Sequence, residues 1–399
     1  MTPADLARAT QRLRQHPTDY GAWLEVAALL GTLGSPEDAE AAFAAIGEGA
    51  RIAGRVALAV ACGRHLAELD SLRGPELVDQ VIETYATGGP HFTFTAPPAP
   101  DEAPAVPAAV DADPLVDARA VIATLGAWLA ARHVTKVAPA PLLSALSKPG
   151  ARALIGVMSA RAVPAGAVII EIGEPATALY WIAHGTVAVA RDGTNLGELH
   201  SGAFFGEIAL VGGTKRTARV TAQTDCWILE IPARALETAA TKHPKLAEVL
   251  AHHARARLLA NLTRTSELFR ALADDDRDAL LAKFSTELVA AGTKFIVEGH
   301  TNQHLWVVVS GRCEVQGGGS TIAELGPGAA VGEISLVSGA VAVADVVAVE
   351  NAVLLRLAKT DFESVAKKHP KLLAEVEKLV VARETQNRAL FQDASDLIV

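Results

Sequence analysis

The sequence predicts an α+β molecule of several domains: an N-terminal α-helical region, then two β jelly-roll barrels with flanking helices. Three observations carry this. The first 87 or so residues have helical periodicity. From Leu142 onward the chain repeats itself at a constant offset of 126 residues. Each repeat is a series of short alternating apolar runs broken by glycines, which is the pattern of an antiparallel barrel. A length of 399 residues accommodates two to four such domains. The expected boundaries are 1–88 for the helical domain, 89–115 for a linker, 116–262 for the first barrel with its leading helix, and 263–391 for the second.

In chain order, "DYGAWLEVAALLGTLGSPEDAEAAFAAIG" places Trp23, Val26, Ala27 and Leu30 on one helical face and breaks at Gly34. Ser35 then caps a second helix, with Pro36 at its first position and Asp38 three residues on. The order of these residues resembles one tetratricopeptide unit, which implies a helical-repeat N-terminus, with a generic helical bundle as the alternative. A second helical pair follows in "GRVALAVACGRHLAELD" and "GPELVDQVIETYA". "TAPPAPDEAPAVPAAVDADP" (95–114) has four acids and no aromatic residue, so it reads as an extended spacer tethering the front helices to the rest. The next segment is an amphipathic helix with Val121, Leu125, Trp128 and Leu129 on one stripe, expected to open the first barrel domain.

The repeat is explicit. "PLLSAL" (141–146) returns as "ELFRAL" (267–272), and "VPAGAVIIEIGE" as "VAAGTKFIVEGH". "ALYWIAHGTVAV" returns as "HLWVVVSGRCEV", and "KHPKL" (242–246) recurs at 368–372. His243 and His369 thus hold equal places, each expected to mark a helix start. An ungapped match of this length marks a duplicated domain.

Within each repeat one stretch carries chemistry. In "FFGEIALVGGTKRTARV" a glycine turn at Gly206 precedes a short helical segment beginning near Glu207, and Arg216 follows nine residues later, expected at the start of a strand. Free N–H groups at a helix start favour an anion, and arginine is suited to bidentate phosphate contact in a desolvated pocket. A carboxylate beside a phosphate is reasonable when it accepts a hydroxyl from a sugar on the same ligand. A ribose bearing a cyclic phosphate supplies both groups. The bland alternative is an ion pair between Glu207 and Arg216 on a barrel rim.

This stretch resembles the phosphate-binding cassette of the cyclic nucleotide-binding domain family, F-G-E-[IL]-[AS]-L, five residues, then R-[AST]-A. The resemblance takes in about 140 to 385. It implies a cAMP or cGMP ligand held by Gly206, Glu207, Ile208, Ala209, Arg216, Thr217 and Ala218, with Glu207 on the ribose 2′-hydroxyl and Arg216 on the phosphate. Thr217 resembles the cassettes of cGMP-dependent protein kinases, and tilts the expectation slightly toward cGMP.

The second copy, "AVGEISLVSGAVAVADV", keeps Gly332, Glu333, Ile334 and Ser335 but has Ala342 for the arginine and Asp345 for Arg219. Losing a charge-assisted phosphate contact costs about 2–5 kcal/mol, or roughly 30-fold to several thousandfold in affinity. The second copy is therefore expected to be a degenerate site unless Arg312 or Arg356 reaches in from other strands. Ala342→Arg is expected to strengthen it weakly, and more so together with Asp345→Arg.

Composition narrows the partners. The net charge is -9 at pH 7 and the pI about 5.8, against the basic footprint of a nucleic-acid binder. No apolar run reaches a membrane span, and the N-terminus lacks a signal-peptide core. A cytoplasmic protein is expected, with no membrane partner. Cys62, Cys226 and Cys313 lack metal-ligand spacing, so no metal or cofactor is implied beyond the nucleotide. Cys226 and Cys313 read as small buried thiols. The adjacent histidines of "AHHARAR" (251–257) cannot face one metal together, so that helix reads as solvated. No P-loop, G-x-S-x-G or H-E-x-x-H occurs, so no enzyme is expected. Three function classes follow: a non-enzymatic sensor signalling to a protein partner, a regulatory subunit of a protein kinase or other effector, and a transcription regulator of the catabolite activator type. About 20 residues follow the second barrel, too few for a DNA-binding module, and residues 89–115 hold no Arg or Lys for a kinase-inhibiting R-R-x-[AS] segment. The sensor reading leads, with the N-terminal helices as partner or homodimer surface.

Overall fold

The computed structural model describes residues 1–87, 106, 113–132, 138–266, 269, 273–318, 320–368, 374, 376–378 and 380–381. Most of the linker 89–115, His369 and the copies at 267–272 and 368–372 lie outside these residues in whole or in part.

The N-terminal region is helical: α1 (Pro3–Gln15), α2 (Tyr20–Leu33), α3 (Pro36–Ile52), α4 (Val56–Glu68) and α5 (Arg73–Tyr85). Helix α2 stops at Gly34, and Trp23, Val26, Ala27 and Leu30 are all buried. Helix α3 starts on Ser35, whose N–H donates to Asp38 Oδ2 at 3.0 Å. Helix α6 (Pro114–Ala130) was expected to lead into the first barrel. It packs instead on α1 and α3, and Arg14 bonds Asp117 at 2.6 Å. Its stripe residues Val121, Leu125 and Leu129 are spent on that helical contact.

Helices α7 (Pro141–Ser144) and α8 (Lys148–Gly156) lead into the first β domain. Its strands are β1 (Ser159–Val163), β2 (Val168–Ile170), β3 (Ala178–His184), β4 (Thr186–Arg191), β5 (Thr194–His200), β6 (Phe204–Phe205), β7 (Arg219–Ala222) and β8 (Cys226–Pro232). They form two four-stranded antiparallel sheets in the orders β1-β8-β3-β6 and β2-β7-β4-β5. Ile182, Val187, Phe205, Val220 and Ile228 fill the space between the sheets. Helix α9 (Glu207–Gly212) sits between β6 and β7, and α10 (Ala233–Lys242) and α11 (Pro244–Thr265) follow β8. His243 separates α10 from α11, as the repeat implied.

After α12 (Asp274–Leu281) the second copy repeats the plan: β9 (Ser285–Val289), β10 (Lys294–Ile296), β11 (His304–Ser310), β12 (Cys313–Gly317), β13 (Ser320–Leu325), β14 (Ala330–Val331), α13 (Glu333–Ser338), β15 (Asp345–Ala348), β16 (Ala352–Ala358) and α14 (Lys359–Lys368). Its sheets are β14-β11-β16-β9 and β10-β15-β12-β13, the same orders one repeat later. The molecule is thus two β-sandwich domains with flanking helices behind an N-terminal helical region.

The front helices are not held by a spacer alone. Trp181, Trp227, Leu229 and Ile231 on the outer face of β3 and β8 join α1–α5 in one continuous core. Arg64 of α4 donates to the Met158 carbonyl at 2.8 Å, and Ser144 to the Tyr85 carbonyl at 2.8 Å. A sheet face that a lone barrel would show to water is covered here by α4. All three cysteines are free and buried, and no helix among the described residues is long and apolar enough to cross a membrane.

Candidate functional site

The site is built where β6 turns into α9. Tyr180 of β3 pairs with Phe205 of β6, and their rings stack at 5.2 Å, fixing the approach to the turn. Gly206 then takes φ +90°, a conformation that L side chains rarely adopt. A Cβ there would lie 2.7 Å from an Arg216 guanidinium nitrogen, so glycine is required on both counts. The turn throws Glu207 to the first position of α9, where its side chain is fully buried.

Arg216 lies in the segment between α9 and β7, three residues before that strand rather than at its start. Its backbone is pinned to the β2–β3 loop: its N–H donates to the Glu174 carbonyl at 2.9 Å and its carbonyl accepts from Gly173 N–H at 3.0 Å. Its guanidinium donates to the Gly206 carbonyl at 3.0 Å and the Ala178 carbonyl at 2.7 Å, and lies 5.7 Å from the Tyr180 ring centre. Arg216 therefore does not form the rim ion pair with Glu207. Glu207 is instead held by Arg257 of α11, whose Nη1 reaches its two oxygens at 3.1 and 3.2 Å. Burial pushes the Glu207 carboxyl above its ordinary 4.5, while the Arg257 charge pulls back. Burial likewise lowers Arg216 below the ordinary arginine value.

Ile208 packs on the apolar cluster that runs from Leu258 and Leu262 of α11 into the second barrel, and Ala209 is buried. Thr217 and Ala218 are half-buried on the way into β7. The histidine helix is not simply solvated. His252 is exposed, but His253 lies 4.8 Å from Phe204 and bonds the Val249 carbonyl at 3.0 Å, so one face of α11 covers the cassette. Among the described residues no cluster could hold a metal ion.

The second cassette is the same scaffold with another set of side chains. Gly332 has φ +90°, Glu333 opens α13 and is buried with Ser335, and Ile334 is half-buried. Val331 faces Trp306 as Phe205 faces Tyr180. Ala342 keeps the backbone bonds of Arg216: N–H to the His300 carbonyl at 2.9 Å, carbonyl from Gly299 N–H at 2.8 Å. Among the described residues, neither Arg312 nor Arg356 takes the place of the missing guanidinium. Arg312 pairs with Glu324 at 3.6 Å and Arg356 with Glu287 at 3.1 Å. Asp345, which stands for Arg219, bonds Lys294 at 2.7 Å and accepts the Glu298 N–H at 2.8 Å.

Residues 160–243 and 286–369 each match the family model described as the cyclic nucleotide-binding domain. The chain carries two cyclic nucleotide-binding domains in tandem. Similar curated proteins include a cyclic nucleotide-gated potassium channel of Mesorhizobium japonicum, 37% identical over 118 residues, or 30% of this chain and 33% of the channel. They also include a cAMP-dependent protein kinase regulatory subunit of Candida albicans, 26% identical over 53% of this chain and 45% of that protein. The chain thus spans a third to under half the length of these relatives. Among solved structures, the regulatory domain of Toxoplasma gondii PKA with cAMP is 18% identical, with 61% of this chain and 92% of that chain covered at a TM-score of 0.30.

Three contributors were missed by reading the sequence alone: Arg257, Asn302 and Thr214. Arg257 lies fifty residues from Glu207 and only folding brings them together. Asn302 leaves a trace in the aligned repeats, because it stands where the first copy has Ala176.

Proposed function

We propose that the first domain binds a 3′,5′-cyclic mononucleotide, cAMP or cGMP, and that the chain is a non-enzymatic sensor that passes occupancy to a protein partner. The observation that supports it most is the placement of Arg216, held by carbonyls on either side of the Gly206 turn and facing the start of α9. There a cyclic phosphate meets a charge-assisted donor together with the N–H groups of α9. Glu207 pairs with Arg257 yet retains lone pairs for a ribose 2′-hydroxyl. Ile208 and Ala209 add the N–H groups of α9, Thr217 and Ala218 flank the phosphate, and the Thr217 hydroxyl tilts the preference slightly toward guanine.

The second domain, with Gly332, Glu333, Ile334, Ser335 and Ala342, is proposed to be a degenerate site. Output passes through the helical region, because α4 shares a core with β3 and β8 of the sensing domain. A homodimer through the same helices fits this reading, as does a cytoplasmic location. The second reading, regulatory subunit of a kinase or other effector, is supported by the similarity to the Candida albicans regulatory subunit.

Calorimetry of the full chain with cAMP and with cGMP tests the proposal. Saturable binding of one of them, lost in Arg216→Ala, is expected. Binding that survives Arg216→Ala unchanged would remove the cassette from the account.

A further inference from the structure

Each cassette turn presents two backbone carbonyls to one nitrogen donor. In the first domain these are Gly206 and Ala178, and the donor is the Arg216 guanidinium at 3.0 and 2.7 Å. One repeat later the carbonyls are those of Gly332 and His304. Their donor is the Asn302 amide, at 3.4 and 2.6 Å. The Asn302 Oδ1 also accepts the His304 N–H at 3.2 Å. The two donors occupy equivalent space. A Cβ on Gly206 would meet Arg216 Nη1 at 2.7 Å, and one on Gly332 would meet Asn302 Nδ2 at 2.4 Å.

We infer that Asn302 takes over the structural half of the role of Arg216, so that the second domain keeps its cassette turn while giving up the cation. An arginine in this place does two jobs: it satisfies the carbonyl of the glycine turn and that of the facing strand, and it presents positive charge. A primary amide has two N–H donors, and Asn302 directs both at backbone carbonyls. It satisfies the turn, carries no charge, and has no N–H left for a ligand. The same geometry explains why Ala342 is tolerated, since the carbonyls that a bare alanine would orphan are already bonded. It also means that an arginine placed at 342 finds its acceptors taken. Asn302, not Asp345, is then the residue that keeps the second site silent.

The structural part is independent of any ligand, whereas the binding part rests on the function proposed above, so two sets of variants separate them. For the structure, Arg216→Ala should lower Tm by several degrees, and adding Ala176→Asn should restore most of the loss. Asn302→Ala should lower Tm likewise, and adding Ala342→Arg should restore it. Failure of both rescues overturns the inference. For binding, Arg216→Ala silences the first domain, and calorimetry with cAMP and cGMP then reads the second. Ala342→Arg alone, which the sequence suggested would strengthen the site weakly, should remain blank because Asn302 holds the acceptors, while Ala342→Arg with Asn302→Ala should bind at least tenfold above background. Binding by Ala342→Arg alone overturns the claim that Asn302 blocks the place. If the Tm rescues succeed and the combined variant stays blank, the structural exchange stands and the phosphate role given to the arginine fails.

Discussion

Arg216 and Glu207 are both buried, yet they answer to different neighbours. Arg216 serves two carbonyls as well as the proposed phosphate, so Arg216→Ala should do more than silence the ligand. The affinity loss is expected at about 2–5 kcal/mol. The two orphaned carbonyls should add a stability loss of about 1–3 kcal/mol, read by chemical denaturation without nucleotide. Glu207→Ala should weaken binding by about 1–3 kcal/mol, as one hydrogen bond to a charged group. Its raised pKa gives pH effects of opposite sign for folding and for binding. Protonation favours the folded state, so that contribution is full below the ordinary 4.5 and is lost as pH rises through the raised value. Binding needs the carboxylate, so affinity should fall on acidification, starting above 4.5. Arg257 and His253 are the charged and titratable groups that act on it from α11. Arg257→Ala removes the pull that keeps the carboxyl down, and should move the onset of affinity loss to higher pH. An unchanged profile of affinity against pH in that variant would remove Arg257 from the site.

At the scale of elements, the cassette segment between α9 and β7 is shared by both barrels. Thr214 and Ser310 exchange a buried hydroxyl contact at 2.7 Å, Asn351 donates to the Gly213 carbonyl at 3.3 Å, and Gly212 abuts Val353. A segment carrying Arg216 is thus braced against the second domain. Thr214→Val should leave the fully buried Ser310 hydroxyl unpartnered and cost about 1–3 kcal/mol. A double-mutant cycle with Ser310→Ala should return a coupling of about 0.5–3 kcal/mol, and additive losses would deny the brace. The strands, the glycine turn and the short helix of each domain were legible in the sequence, because alternation and φ-positive glycines are local signals. The start of β7 was misplaced, because the backbone of Arg216 is engaged with the β2–β3 loop and only the residues after it join the sheet. The aligned repeats set Asn302 against Ala176 but do not show that it stands in for Arg216, for a related reason. The two donors stand forty positions apart in the aligned repeat, and they are equivalent only in space.

For the molecule as a whole, each domain leans on the one before it. The front helices cover a sheet face of the first barrel, and the first cassette leans on the second barrel at Ser310. Helical periodicity showed which face of α2 is buried but not that α4 would lie on β3 and β8, since an apolar face does not name what covers it. For α6 the same ambiguity misled, because its stripe suits a helix or a sheet equally well. On the proposed reading, this continuity offers a packed path from cassette to helices, and the second barrel braces the first cassette instead of sensing. The central claim is therefore one competent site in two matching frames. Isothermal titration of the full chain, with protein concentration fixed by absorbance, measures it directly. One molecule of cAMP or cGMP per chain is the expected stoichiometry. Two equivalent molecules per chain, or none of either nucleotide, would contradict it.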